Sequence, residues 1–175
     1  DRTRSFLYSV HGDLSDISAF AINPADGKLT PLNRQSTGGK NPVHLVADPS
    51  NRYMLVANYA RGSLATLPMQ QDGSLGAVVD LVSLTGTPGP HKTQQGSSHP
   101  HHLPFDRNGR FIVVPDKGLD KVFAFRFDAG AGKLLPATPP DVASREGAGP
   151  RHVDFHPSKP LAYVINELDS SITAY

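Results

Sequence analysis

Residues 149–167 read GPRHVDFHPSKPLAYVINE, and the same pattern occurs twice upstream without a gap: NPVHLVADPSNRYMLVANY over 41–59 and HPHHLPFDRNGRFIVVPDK over 99–117. Pro42, Pro100 and Pro150 share one position; His44, His102 and His152 share another. Asp48, Asp106 and His156 align, as do Arg52, Arg110 and Pro160 ahead of the apolar runs YMLVA, FIVVP and LAYVI. Asn58, Asp116 and Asn166 close those runs. The repeated histidines are 58 and then 50 residues apart, and the longer interval holds the extra loop LTGTPGPHKTQQGSS, residues 84–98. Self-similarity at this period marks a repeat architecture.

Each aligned pair of apolar runs reads as two strands. A third follows (SLATLPMQ, KVFAFRFD or SSITAY), and after the first two comes a turn ending in Gly-x-Leu and a short fourth run. The same Gly-x-Leu at Gly27–Leu29 makes SFLYSVHGDLSDISAFAINPADGKL the second half of a further unit. A four-stranded antiparallel meander of about 40–50 residues is the size of a propeller blade. The expected fold is all-β, a partial propeller forming a single domain. Its parts are a half blade over 1–38, a blade over 39–83, a connecting loop over 84–98, a blade over 99–142 and a partial blade over 149–175. Rings close with 4–8 blades, so the chain is expected to be a piece of a longer protein that needs its remaining blades to close.

Composition supports this reading and narrows the function. Sixteen glycines and sixteen prolines in 175 residues favour many turns and short strands over helices. A formal charge of +1 gives no electrostatic case for nucleic acid or an anionic membrane surface. With no cysteine, disulfides, thiolate catalysis and cysteine zinc sites are excluded. No apolar run approaches the ~20 residues of a membrane span, so a cytoplasmic protein that binds neither nucleic acid nor membrane is expected.

Phase within the repeat separates scaffold from site. A residue type present at one position in every blade serves the blade: His44, His102 and His152 are expected to bond a neighbouring strand or loop. Asn58, Asp116 and Asn166 are expected as turn-makers bonding nearby backbone, and Asp48, Asp106 and His156 as turn residues. The position before the repeated histidine changes instead, from Val43 to His101 to Arg151, and the position after the Asn/Asp goes from Tyr59 to Lys117 to Glu167. In a meander the start of the first strand, the end of the second and the incoming connection meet at one end. These blade-specific polar residues therefore gather, with the loop 84–98, around one mouth of the central channel. His99 and His101 alternate onto one strand face, but no third ligand stands at a zinc spacing, so no metal is expected. There is no G-x-S-x-G nucleophile elbow.

The stretches ANYARGSL, PDKGLDKVFAFRFD and EGAGPRHVDFHP…AYVINELDSS closely resemble the seven-bladed lactonase propellers, the family of 6-phosphogluconolactonases and carboxy-cis,cis-muconate cyclases. The resemblance covers the whole chain, about half of a ring that needs roughly 300 residues. It implies an active site of a histidine from a P-H-x-H stretch, the Arg of G-P-R-H and the Glu of N-E, here His101, Arg151 and Glu167. Ser98 stands where the family has the proline of that stretch; His99 takes the place of its first histidine and, with Lys117, is expected in substrate binding. The implied activity is cofactor-free and metal-independent hydrolysis of a small sugar-acid lactone, with His101 and Glu167 open as base and acid. A muconate-type cycloisomerase and a non-catalytic protein-binding propeller are the alternatives.

Overall fold

The structure, a computed structural model, describes residue 1 and residues 3–175. Thirteen strands form four antiparallel sheets, with no helix among the described residues. The first sheet holds β1 (Phe6–Val10), β2 (Asp16–Ile22) and β3 (Leu29–Ser36). The second is a complete meander of β4 (Pro42–Ala47), β5 (Tyr53–Asn58), β6 (Ser63–Pro68) and β7 (Asp80–Ser83). The third holds β8 (Phe111–Asp116), β9 (Lys121–Asp128) and β10 (Lys133–Ala143), and the fourth β11 (Pro150–Phe155), β12 (Ala162–Asn166) and β13 (Ser171–Ala174).

Two details differ from the repeat read off the sequence. Residues 1–38, read as half a blade, carry three strands. The segment 99–105, read as a first strand, is not a regular one. It lies along β8 through isolated bridges, Pro100 to Asp116 and Phe105 to Ile112, and through His101 N–H to Pro115 O and Val113 N–H to Pro104 O, both 3.2 Å. Pro100 has counterparts in Pro42 and Pro150, which open regular strands, but Pro104 stands where the other copies carry Val46 and Asp154 and has no N–H to give a ladder.

The core lies between sheets, and the strand period shows why. In β5, Met54 and Val56 pack towards Ile17 and Ala19 of β2, while Leu55 and Ala57 pack towards Ile112 and Val114 of β8. A strand buried on both faces reads as a continuous apolar run instead of an alternating one. The final sheet packs Val153 and Val164 against Val122 of β9. On its other side Tyr163, Ile165 and Ile172 are exposed.

The turns after β5, β8 and β12 each end on a residue with left-handed backbone: Gly62 (φ 54), Asp120 (φ 51) and Ser170 (φ 57). Asp120 has a second task. Its carboxylate accepts the N–H groups of Gly147 at 2.7 Å and Gly149 at 2.8 Å, so the turn of one blade anchors the linker that enters β11 of the next.

Candidate active site at the blade rim

The rim residues are set by a repeated irregularity of the backbone. Pro42 pairs with Asn58, yet His44 pairs with Ala57; likewise Pro150 pairs with Asn166, and His152 with Ile165. Val43 and Arg151 are thus extra residues at a β-bulge, a feature that re-aims a side chain out of the pleat. His101 occupies the same place after the Pro100–Asp116 bridge. On the partner strand, the residue after the Asn/Asp donates its N–H across this end: Tyr59 to Asn41 O (2.9 Å), Lys117 to His99 O (3.1 Å), Glu167 to Gly149 O (2.8 Å). Both blade-specific positions are therefore fixed by main chain whatever side chain they carry.

Below them the repeated polar residues bond around each strand end, although His44 Nδ1 and Asn166 Oδ1 are buried without a partner. The Asp116 carboxylate is fully buried. It accepts the N–H groups of His99, Gly118 and Leu119 at 2.8–3.1 Å, and the Ser98 hydroxyl. Burial pushes this carboxyl above the usual carboxylate range, against those four donors. Asn58 and Asn166 bond side chains instead of the expected backbone. Asn58 accepts from Thr37 Oγ1 (2.7 Å) and donates to Ser63 Oγ (3.3 Å), and Asn166 donates to Ser171 Oγ (3.0 Å) and Thr173 Oγ1 (2.9 Å). Asp48, Asp106 and His156 do bond turn backbone: Asp48 accepts from Arg52 and Tyr53, Asp106 from Arg110 and Phe111, and His156 Nδ1 from Ser158 and Lys159.

His101, Lys117, Arg151 and Glu167 line one cleft of ≈ 210 Å³ with Asn41, Val43 and Tyr59. Glu167 is held between two cations. Its Oε2 lies 2.9 Å from Arg151 Nε, an ion pair without the alignment of a hydrogen bond, and its Oε1 lies 3.4 Å from Lys117 Nζ. The Lys117 side chain is only 5% exposed. A buried ammonium needs partners, and Lys117 has Gln94 Oε1 at 2.8 Å, Glu167, and the Tyr59 ring face at 5.2 Å. With two cations against one carboxylate, the cleft carries an excess positive charge. Desolvation, then Arg151 and His152, lowers the His101 pKa to about 4, so its imidazole is neutral at pH 7.

His99 is not among the cleft-lining residues. Its ring stacks on Tyr59 (centroids 4.4 Å apart, planes at 11°), and its Nδ1 sits 3.0 Å from Tyr59 O. His99 thus braces Tyr59, the residue aligned with Lys117 and Glu167. Tyr59 is the cleft residue that the polar search passed over, although its repeat position carried the signal. Gln94 left no signal, because the loop 84–98 has no second copy. That loop does reach the rim, since Gln95 Nε2 donates to Lys117 O at 2.9 Å. His91 serves the loop's own turn, its Nδ1 accepting from Gln94 N–H at 3.3 Å. Among the described residues no group of three or more side chains is placed to hold a metal ion, and no helix is long and apolar enough to cross a membrane.

The family model "Lactonase, 7-bladed beta-propeller" matches residues 1–175. The chain is 34% identical over 176 residues to a 6-phosphogluconolactonase of Bacillus subtilis (strain 168), covering 99% of this chain and 49% of that protein. It is 31% identical to a 6-phosphogluconolactonase of Formosa agariphila, covering 97% and 49%. Among solved structures, a Bacteroides fragilis protein superposes with a TM-score of 0.90 at 31% identity, over 98% of this chain and 50% of that one. The periplasmic gluconolactonase PpgL of Pseudomonas aeruginosa gives 0.88 at 27% identity, over 99% and 51%. The chain spans about half the length of the curated relatives it matches.

Proposed function

The chain belongs to the seven-bladed β-propeller lactonase family, and from that premise we propose that the complete protein hydrolyses a sugar-acid lactone, 6-phosphogluconolactone first among candidates, at the cleft of His101, Arg151 and Glu167. The observation that carries this reading is the joining, in one cleft, of a neutral histidine to two cations that share a single carboxylate.

Ring opening needs a base to activate water and donors to stabilise the oxyanion. A neutral imidazole is a base at pH 7, and His101 supplies it. Glu167, with each oxygen facing a cation, orients Arg151 and Lys117. Water gives a proton to His101 as its oxygen attacks the lactone carbonyl. Charge on the carbonyl oxygen develops towards the Arg151 fork. Collapse breaks the ring C–O bond, and the proton on His101 passes to the leaving alkoxide, so that lactone plus water gives the hydroxy acid and the free enzyme. Lys117 offers a point charge for the substrate's phosphate or carboxylate. No step calls for a metal or a cofactor.

The test is a substrate panel on the complete chain: a phosphorylated sugar lactone, an unphosphorylated one and a carboxymuconate. Turnover of a lactone above its spontaneous rate is the expected result. Turnover of the carboxymuconate alone would make the protein a cycloisomerase, and turnover of none would make it a binding propeller. On the cysteine-free composition we keep the cytoplasm as the proposed location, which fractionation of the source cells tests.

A further inference from the structure

The repeated histidines form a file along the inner strands. The rings of His44 and His102 meet edge to face at 4.2 Å, and those of His102 and His152 lie 5.0 Å apart. At its end the file touches the cleft, where His152 Nε2 lies 3.2 Å from His101 Nδ1. By repeat position His152 is scaffold, but its contact is with a residue of the proposed site. The neighbouring His102 shows the contrast: its Nδ1 accepts the backbone N–H of Val153 at 3.3 Å.

We propose that His152 is a positioning residue of the site: it accepts a hydrogen bond from His101 Nδ1–H and so holds His101 in the tautomer whose Nε2 lone pair is free to take a proton. This rests on the lactone-hydrolase reading for its catalytic consequence, though not for its geometry. Two observations select the direction of the bond. His101 Nε2 has no hydrogen-bond partner among the described residues, so Nδ1 is the nitrogen the protein has chosen to fix. The opposite arrangement, His152 Nε2–H donating to His101 Nδ1, would leave an N–H on Nε2 of a residue lining a cleft whose excess charge is positive. A lone pair suits that surrounding and an N–H does not. When His101 gains its proton the same contact becomes a charge-assisted bond, which is the stronger kind. His152 then holds the imidazolium of the intermediate in one orientation, while its nearness keeps the His101 pKa low. This is the role of an orienting partner in a nucleophile–base–orienter set, filled here by a second imidazole from the next blade.

The groups facing His101 are Arg151, His152, Lys117 and Glu167, with the Tyr59 ring edge-on at 5.8 Å. The acid side of the pH–rate profile reports His101 together with His152.

The test uses the complete chain carrying ¹⁵N-labelled histidine, with the imidazole nitrogens read by long-range ¹H–¹⁵N spectra. The wild type should show His101 protonated at Nδ1 and bare at Nε2, and His152→Ala should revert it towards the Nε2–H form that free histidine prefers. In lactone hydrolysis His152→Ala should lose on the order of 10–100-fold in kcat, as orienting partners of histidine do, with KM held and the acid limb displaced. His152→Gln, whose Oε1 restores an acceptor near the lost Nε2, should recover most of it. A wild-type His101 carrying its proton on Nε2, or a tautomer unmoved in His152→Ala, would overturn the proposal. So would a His152→Gln variant that folds as the wild type and is as slow as His152→Ala. If the complete chain hydrolyses no lactone, the proposed function fails, while the tautomer is still read directly.

Discussion

Two rims of this molecule share one backbone and differ in chemistry. In the blade of β4 to β7 the bulge residue is Val43 and the turn residue Tyr59; in the sheet of β11 to β13 they are Arg151 and Glu167. Both rims have the same register shift after proline. In both, the turn residue donates its N–H to the residue just before that proline, and a buried asparagine sits beneath. One rim is an apolar and aromatic wall, the other an ion pair. The main chain therefore sets where the two side chains go, and their identity is free to vary without disturbing the blade. This separation lets a repeat protein keep its fold while a site is written at two positions per blade.

The rim of His101 and Lys117, between these two along the chain, stands on Asp116 in place of the asparagine and can be broken from below. Asp116→Ala would strand three backbone N–H groups and the Ser98 hydroxyl, at a cost of about 3 kcal/mol. Asp116→Asn keeps Oδ1 for the N–H groups and can donate to Ser98, as Asn58 donates to Ser63, so it should cost well under half as much. Denaturant unfolding of the two variants checks this, and equal losses would show that the carboxylate charge, not the acceptor geometry, supports the rim.

A smaller and more graded effect comes from pH. Desolvation lowers the pKa of His44 to about 3 and of His102 to about 4, with the neighbouring histidines adding to it; that of His101 falls to about 4 for the causes already given. Their ordinary value is 6.5. Between 6.5 and about 4 the unfolded chain binds more protons than the folded one, so stability falls as pH drops through that window. Above about pH 7 these histidines are neutral in both states and contribute no slope. Replacing His44 with Leu should flatten part of the slope; an unchanged slope would mean that His44 titrates normally.

Much of this was legible in the sequence because a repeat supplies its own controls. Three gapless copies gave the strand pairs, and the phase of each polar residue within them pointed to His101, Lys117, Arg151 and Glu167. Phase could not show the bulge, since an inserted residue present in every copy leaves the alignment gapless. Nor could it show that the first strand of the blade with Pro104 is irregular, or that His99 stacks against Tyr59 instead of lining the cleft. The loop 84–98 has no copy to compare, so Gln94 emerged from tertiary contact alone. Tyr59 shows the limit of searching for polar groups: its aromatic face meets the Lys117 ammonium at 5.2 Å, beside the carboxylate of Glu167.

The central claim is that the rim of the β11–β13 sheet carries catalysis and its backbone does not depend on it. The most direct measurement installs the other rim: Arg151→Val with Glu167→Tyr in the complete chain, assayed for hydrolysis of 6-phosphogluconolactone beside a thermal melt. The expected result is a loss of ~10²–10³-fold or more in kcat, the scale of removing an oxyanion donor, with a melting temperature within a few degrees of wild type. Hydrolysis at the wild-type rate from a folded double variant would contradict it.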